Sequence, residues 1–203
     1  MSVLATAPKT LMTAEEFGEW VQRPENQNGF FELVRGEVIE LPPPTKIHGV
    51  VALKLGRKLG DYCEESDRFY ATSNDSGVIL NRDPDTVRGP DIAVYDDAAT
   101  FAELHPKYGE VPPVVAAEVL SPNDKANKVQ EKIGDYLRAG VKLVWVIDPE
   151  DQTVTVHAPD RTPRMLKNDA NLTGEEILPG FSLPIATLFV LRGTSSKPTP
   201  PTA

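Results

Sequence analysis

Hydrophobic residues recur along this chain with two distinct periods. From Lys46 to about Glu65 the apolar positions Ile47, Val50, Val51, Leu55, Leu59 and Tyr62 return at helical spacing, which predicts a long amphipathic helix. A second helix is expected over roughly 125–139, with Val129, Ile133 and Tyr136 on one face and Gly140 as its C-terminal cap. Thr13 followed by Glu16 forms a capping box and predicts a short helix from Ala14 to about Val21. Phe30 to Val34 reads as a strand, Arg35-Gly36 as a turn and Glu37 to Leu41 as the returning strand of a hairpin, which Pro42 to Pro44 stop.

Three short strands are expected near Arg68–Thr72, Gly77–Leu80 and Asp91–Tyr95, the last two separated by a loop rich in Asp, Pro and Arg. Residues 96–113 read as irregular or weakly helical. Val114 to Leu120 is an apolar run broken by one charge, as expected of a central strand covered on both faces. Lys142 to Ile147 is another buried strand, turned by Asp148-Pro149, and Thr153 to His157 alternates like an edge strand. A short strand near Glu176–Leu178 and a helical turn near Ile185–Val190 complete the pattern. A helix between two buried strands implies a crossover unit, so the expected architecture is α/β, a mixed sheet with helices packed on it.

The 203 residues suit one domain, placed at 12–192, with a flexible lead-in over 1–11 and a Ser/Thr/Pro/Lys-rich, disordered tail over 193–203. No apolar run approaches the ~18 residues that a membrane span needs. The N-terminal stretch lacks the pattern of a secretory signal. A lone cysteine, Cys63, agrees with a reducing compartment, so a cytoplasmic protein is expected. The formal net charge of -9 runs against a general nucleic-acid binder, which usually carries a basic surplus. A metal-holding acidic cluster or a local basic patch would reconcile the two.

Three residues carry candidate chemistry. Asp91 opens a strand of Ile92, Ala93, Val94 and Tyr95, where it reads equally as a turn or capping residue. Glu118 sits late in a strand of Val and Ala, and a buried carboxylate costs several kcal/mol unless it meets a cation or donors. An exposed strand end is the alternative. On the following helix, counting roughly 100° per residue from Val129, Ile133 falls near about 40°, Tyr136 near about −20° and Lys132 near about −60°. Lys132 therefore stands at the edge of the buried stripe, while Glu131, Asp135 and Arg138 point to solvent. It either snorkels outward or meets a carboxylate, which can be Glu118. Two carboxylates from adjacent strands with a lysine suit a hard divalent cation that polarises a phosphate and activates a water, the lysine assisting.

The ordered set Thr13–Phe17, Phe31-Glu32-Leu33-Val34-x-Gly36-Glu37, Pro90-Asp91, Glu118-Val119-Leu120-Ser121-Pro122, Lys132-x-x-x-Tyr136, Gly140-Val141 and Trp145-x-x-Asp148-Pro149 resembles the Uma-type family of restriction endonucleases, within the PD-(D/E)XK nuclease superfamily. The resemblance spans roughly residues 10–190. It implies a restriction-endonuclease-like core and a DNA endonuclease that hydrolyses phosphodiester bonds with Mg2+ or Mn2+. Asp91 and Glu118 would be the metal ligands and Lys132 would act at the attacking water. Glu32 matches an acidic position that joins the site, and a homodimer is expected. His48 matches a histidine near the start of the long helix, where it reads equally as a surface residue. The sequence departs from the superfamily in having Leu120 at the usual lysine place, two residues after the glutamate. Lys128 stands where the family often has an acidic residue, and Leu143 and Val144 replace a more polar pair before Trp145.

The other residues of note read structurally. Trp145, Phe181 and Phe189 are expected in the core, and Arg82 and Arg88 in a solvated loop from which they could reach phosphate. Cys63 has no expected base or metal partner. The competing reading is a catalytically silent or weakly active scaffold, a dimeric binding module on a nuclease fold, which the acidic balance favours.

Overall fold

The computed structural model describes residues 11–98, 100–167 and 169–191. The lead-in expected over 1–11, save Leu11, and the tail expected over 193–203 lie outside the described residues.

The first helix, α1 (Ala14–Val21), begins at Thr13 with the reciprocal capping box. β1 (Phe30–Val34) and β2 (Glu37–Leu41) form the expected hairpin, and α2 (Lys46–Glu64) follows. Then come β3 (Tyr70–Ser73), β4 (Val78–Asn81), β5 (Thr86–Arg88), β6 (Ile92–Tyr95) and β7 (Val115–Val119). α3 (Ala126–Ala139) leads to β8 (Leu143–Asp148), β9 (Thr153–His157), β10 (Arg164–Lys167), β11 (Asn171–Gly174) and β12 (Leu178–Pro184). Gly140 ends α3 at φ 104, a left-handed conformation that costs glycine little.

The main sheet has the order β10-β9-β8-β7-β6-β3. Only β7 and β8 pair in parallel, and α3 is the crossover between them. Side chains alternate along β7, so Val115, Ala117 and Val119 enter one core with Val51, Leu55, Leu59 and Cys63 of α2. Burying Leu55 or Leu59 there stabilises the fold by roughly 1.5–3 kcal/mol each. Ala116 faces the other way, into a core formed with Ile133 and Tyr136 of α3. Glu118 alternates onto that same face, towards α3. Trp145 and Phe181 stack inside the α2-side core, and Phe189 packs against it.

Several features depart from the sequence reading. The Asp/Pro/Arg loop before Asp91 contains a strand, β5, which pairs with both β1 and β4 in a second, four-stranded sheet of order β2-β1-β5-β4. α1 covers that sheet through Ala14 and Phe17 against Leu33, Ile79 and Val87. β9 is not an edge strand, because β10 pairs outside it. The strand expected at Glu176–Leu178 is instead the turn and start of a hairpin, β11–β12, whose second strand runs to Pro184. No described helix is long and apolar enough to cross a membrane.

Candidate active site

β6 and β7 run antiparallel with Ile92 opposite Ala117. The next step of that register sets Asp91 beside Glu118. The backbone N–H of Val119 donates to Asp91 Oδ2 at 2.6 Å, so the carboxylate continues the strand pairing beyond the backbone ladder. His48, in the first turn of α2, brings Nε2 to 3.0 Å from Asp91 Oδ1. That hydrogen bond raises the pKa of His48, against the opposing effect of its burial. The histidine read equally as a surface residue is thus drawn into the site.

Glu118 accepts two hydrogen bonds from α3. Lys132 Nζ stands 2.8 Å from Oε2 and the Tyr136 hydroxyl 2.7 Å from Oε1. Burial pushes the Glu118 carboxyl up to about 8, with Lys132 pulling it down and Asp91 and Glu32 raising it. Lys132 does not snorkel. Its ammonium meets Glu118 Oε2 at 2.8 Å, Glu32 Oε1 at 3.0 Å and the Gly89 carbonyl at 3.0 Å, which matches its three N–H groups. Burial disfavours the charged ammonium, but Glu118, Glu32 and Asp91 outweigh it and hold the Lys132 pKa above its ordinary value.

Glu32 is 3% exposed, and its two oxygens receive Lys132, the Gly89 N–H at 3.1 Å and Arg88 Nη1 at 2.8 Å. Burial alone would raise its pKa, yet Lys132 and Arg88 lower it. Gly89 thus serves both Glu32 and Lys132 through its backbone. A Cβ at this position would come within 2.4 Å of the Asp75 carbonyl oxygen, so the close approach of two chain segments requires glycine.

Arg88 overturns its sequence reading. It is 6% exposed at the end of β5, and besides Glu32 it binds Asp135 Oδ2 through Nε at 3.0 Å and Nη2 at 2.5 Å. Asp135, expected in solvent, is drawn in by that guanidinium, and Arg138 reaches its other oxygen at 2.5 Å. Arg82 stays at the surface, paired with Glu15, Asp85 and Glu110. Cys63 lies in the α2-side core, where burial pushes its thiol up to about 11.

Glu32, His48, Asp91, Glu118 and Lys132 all line one cleft of about 570 Å³. Arg88 lines it as well. Sequence reasoning missed Tyr136, Arg88 and Asp135 as parts of this network. Tyr136 is indistinguishable from a core residue on an apolar stripe, and its hydroxyl gives no periodic signal. Asp75, at φ 53 in the turn before β4, also borders the cleft, and burial raises its pKa, with Asp91 adding to the effect.

The donor chemistry fits a hard divalent cation. Each oxygen of Asp91 and Glu118 has one protein partner, which leaves one lone pair on each for a metal. Among the described residues no cluster of three or more His, Cys, Asp or Glu forms a metal cage. Carboxylate oxygens are the donors that hard divalent cations take.

The solved structure described as "a putative nuclease belonging to DUF820 from Anabaena variabilis" superposes with a TM-score of 0.74, at 23% identity, covering 88% of this chain and 97% of that one. The likeness shows a shared mixed α/β fold. No functionally curated protein matches the sequence. The family model Uma2, described as "Putative restriction endonuclease", matches residues 14–186, so the chain belongs to that family.

Proposed function

We propose that the cleft hydrolyses phosphodiester bonds of DNA with the help of Mg2+ or Mn2+, held by Asp91 and Glu118. What carries the reading is the convergence of two carboxylates from neighbouring strands with a half-buried lysine, Lys132, that bridges Glu118 and Glu32. A bound divalent ion would polarise a phosphoryl oxygen and lower the pKa of a water. Asp91 is aimed by the Val119 N–H and by His48, and Glu118 by Lys132 and Tyr136. Lys132 places a fixed positive charge where negative charge develops on the reacting phosphate, and Glu32 holds it there. Groups held in advance need no reorganisation during the reaction, which is why the second layer of hydrogen bonds matters.

Two observations favour a catalytically silent scaffold instead. The formal net charge is -9, and all three Lys132 N–H groups already have protein acceptors. Incubation with plasmid, single-stranded DNA and RNA in Mg2+ and in Mn2+ separates the two readings. Cleavage by the wild type that is lost in both Asp91→Ala and Glu118→Ala is expected. Intact substrates under every condition, from folded protein, would leave the scaffold.

A further inference from the structure

The hairpin that supplies Glu32 also builds an apolar wall along the cleft. Phe30 lies two residues before Glu32 on β1, so both project to the same face. The register pairs Phe30 with Leu41 and Glu32 with Ile39, which brings those two side chains onto the same face, and all four residues line the cleft. Phe30 is 39% exposed, while Ile39 and Leu41 are half-buried. The first turns of α3 also border the cleft and bring Lys125 and Lys128. Lys128 pairs with Glu131, whereas Lys125 is exposed and makes no ion pair among the described residues. The cleft thus combines an apolar wall, the carboxylates and two lysines at the start of α3, with Asp124 beside them.

An apolar wall gains little from a duplex, whose bases hide their faces against each other and show only edges and phosphates. An unpaired base has both faces free, and stacking on an aromatic ring binds it with little regard to sequence. The charge of -9 points the same way. Duplex affinity rests largely on neutralising many phosphates, and this chain has no basic surplus for that. We propose that the cleft takes an unpaired nucleic-acid strand, with one base stacked on Phe30 against Ile39 and Leu41. The adjoining phosphate lies towards Asp91 and Glu118, and Lys125 and Lys128 attract the backbone. Phe30 and Glu32 are separated by about 7 Å along β1, a span that a nucleotide bridges between its phosphate and its base. The position of the phosphate rests on the nuclease reading; the stacking does not.

Fluorescence anisotropy of the full chain tests this without catalysis. The probes are labelled single-stranded DNA and RNA of roughly 12 nucleotides, within the range such grooves accept, and the matching duplex, all in EDTA and again in Ca2+. The wild type is expected to bind a single strand more tightly than the duplex, and the DNA and RNA arms show which sugar it prefers. Phe30→Ala should weaken single-strand binding roughly 5- to 150-fold, the effect of losing one stacked base, and Phe30→Trp should restore it. Leu41→Ser provides a second variant on the same wall, expected to weaken binding in the same direction if Phe30→Ala folds poorly. Duplex bound more tightly than single strands, no single-strand binding, or equal affinities for wild type and folded wall variants would overturn the proposal. Phe30-dependent strand binding without cleavage of any substrate would sustain it while removing the nuclease reading. Duplex cleavage indifferent to Phe30→Ala and Leu41→Ser would do the reverse.

Discussion

Arg88 and Glu32 form a buried ion pair, Nη1 to Oε2 at 2.8 Å, although 56 residues separate them and each belongs to a different strand of the second sheet. The guanidinium continues to Asp135 on α3, and the carboxylate continues to Lys132 one turn earlier on that helix. The second sheet and α3 are thereby joined across the cleft by alternating charges. Each of these charges has an opposite neighbour, and Lys132 and Arg88 together hold the Glu32 carboxyl below its ordinary value despite its burial.

Replacing Arg88 by Met should therefore cost roughly 3–5 kcal/mol, since it breaks a buried ion pair and leaves Glu32 with Lys132 and Asp135 with Arg138 as their remaining cations. Arg82→Met, on an exposed network, should cost no more than about 1 kcal/mol. Urea unfolding of both variants checks this. Equal small losses would mean that Arg88 is solvated after all.

Lys132→Met keeps most of the aliphatic stem but removes the ammonium between Glu118 and Glu32. Stability should fall by about 3–5 kcal/mol, and cleavage by roughly 10²–10⁴-fold under conditions where the variant remains folded. Lys128→Met changes an exposed pair and should alter stability by about 0.5 kcal/mol or less. Unfolding curves and single-turnover cleavage read the two effects separately. A Lys132→Met protein as stable and active as the wild type would remove the lysine from both roles.

Divalent metal binding should raise the melting temperature, because a ligand that binds only the folded state stabilises it, by about 2.7 kcal/mol at a hundred times its Kd. Asp91→Asn and Glu118→Gln should abolish the response to Mg2+ and Mn2+. Glu110→Gln, at a surface carboxylate outside the cleft, should retain it. Differential scanning calorimetry in EDTA and in millimolar metal decides the point. A response unchanged in Asp91→Asn would place the ion elsewhere.

His157 supplies a pH dependence away from the site. It is buried on β9, and loss of solvent lowers its pKa from the ordinary 6.5. The unfolded chain therefore takes up a proton before the folded one does. The stabilising contribution is fully present above about pH 6.5 and is lost as pH falls through the depressed folded value. The drop in urea midpoint from pH 7.5 to 5.5 should be smaller in His157→Gln than in wild type, since the other titrating groups are common to both. Parallel profiles would show that His157 is solvated.

The parts of this protein legible in the sequence are those whose determinants lie within a few residues of one another. Thr13 and Glu16 cap α1 reciprocally, Val51, Leu55 and Leu59 return every turn on α2, and Gly140 closes α3 in a left-handed conformation. The candidate pair was legible for a related reason. A single charge in the apolar run of β7 stands out, and Pro90-Asp91 begins a strand of four buried residues.

What remained hidden depends on contacts between segments far apart in the chain. The three residues of β5 have no periodicity of their own, and they become a strand only because Val87 pairs with Leu33 and Ile79. Arg88 then enters the interior instead of a solvated loop. Asp135 lies about 60° beyond Lys132 on the same flank of α3 by helical count, which pointed it to water until the end of β5 was packed there. Likewise β9 alternates as an edge strand would, but the pairing of Arg164–Lys167 outside it makes it internal. Local sequence determines whether a segment can be a helix or a strand, because capping and side-chain spacing act over a few residues. Which charges become buried partners is decided by the packing of whole elements, where the desolvation of each ion must be offset by another that the chain brings from a distance.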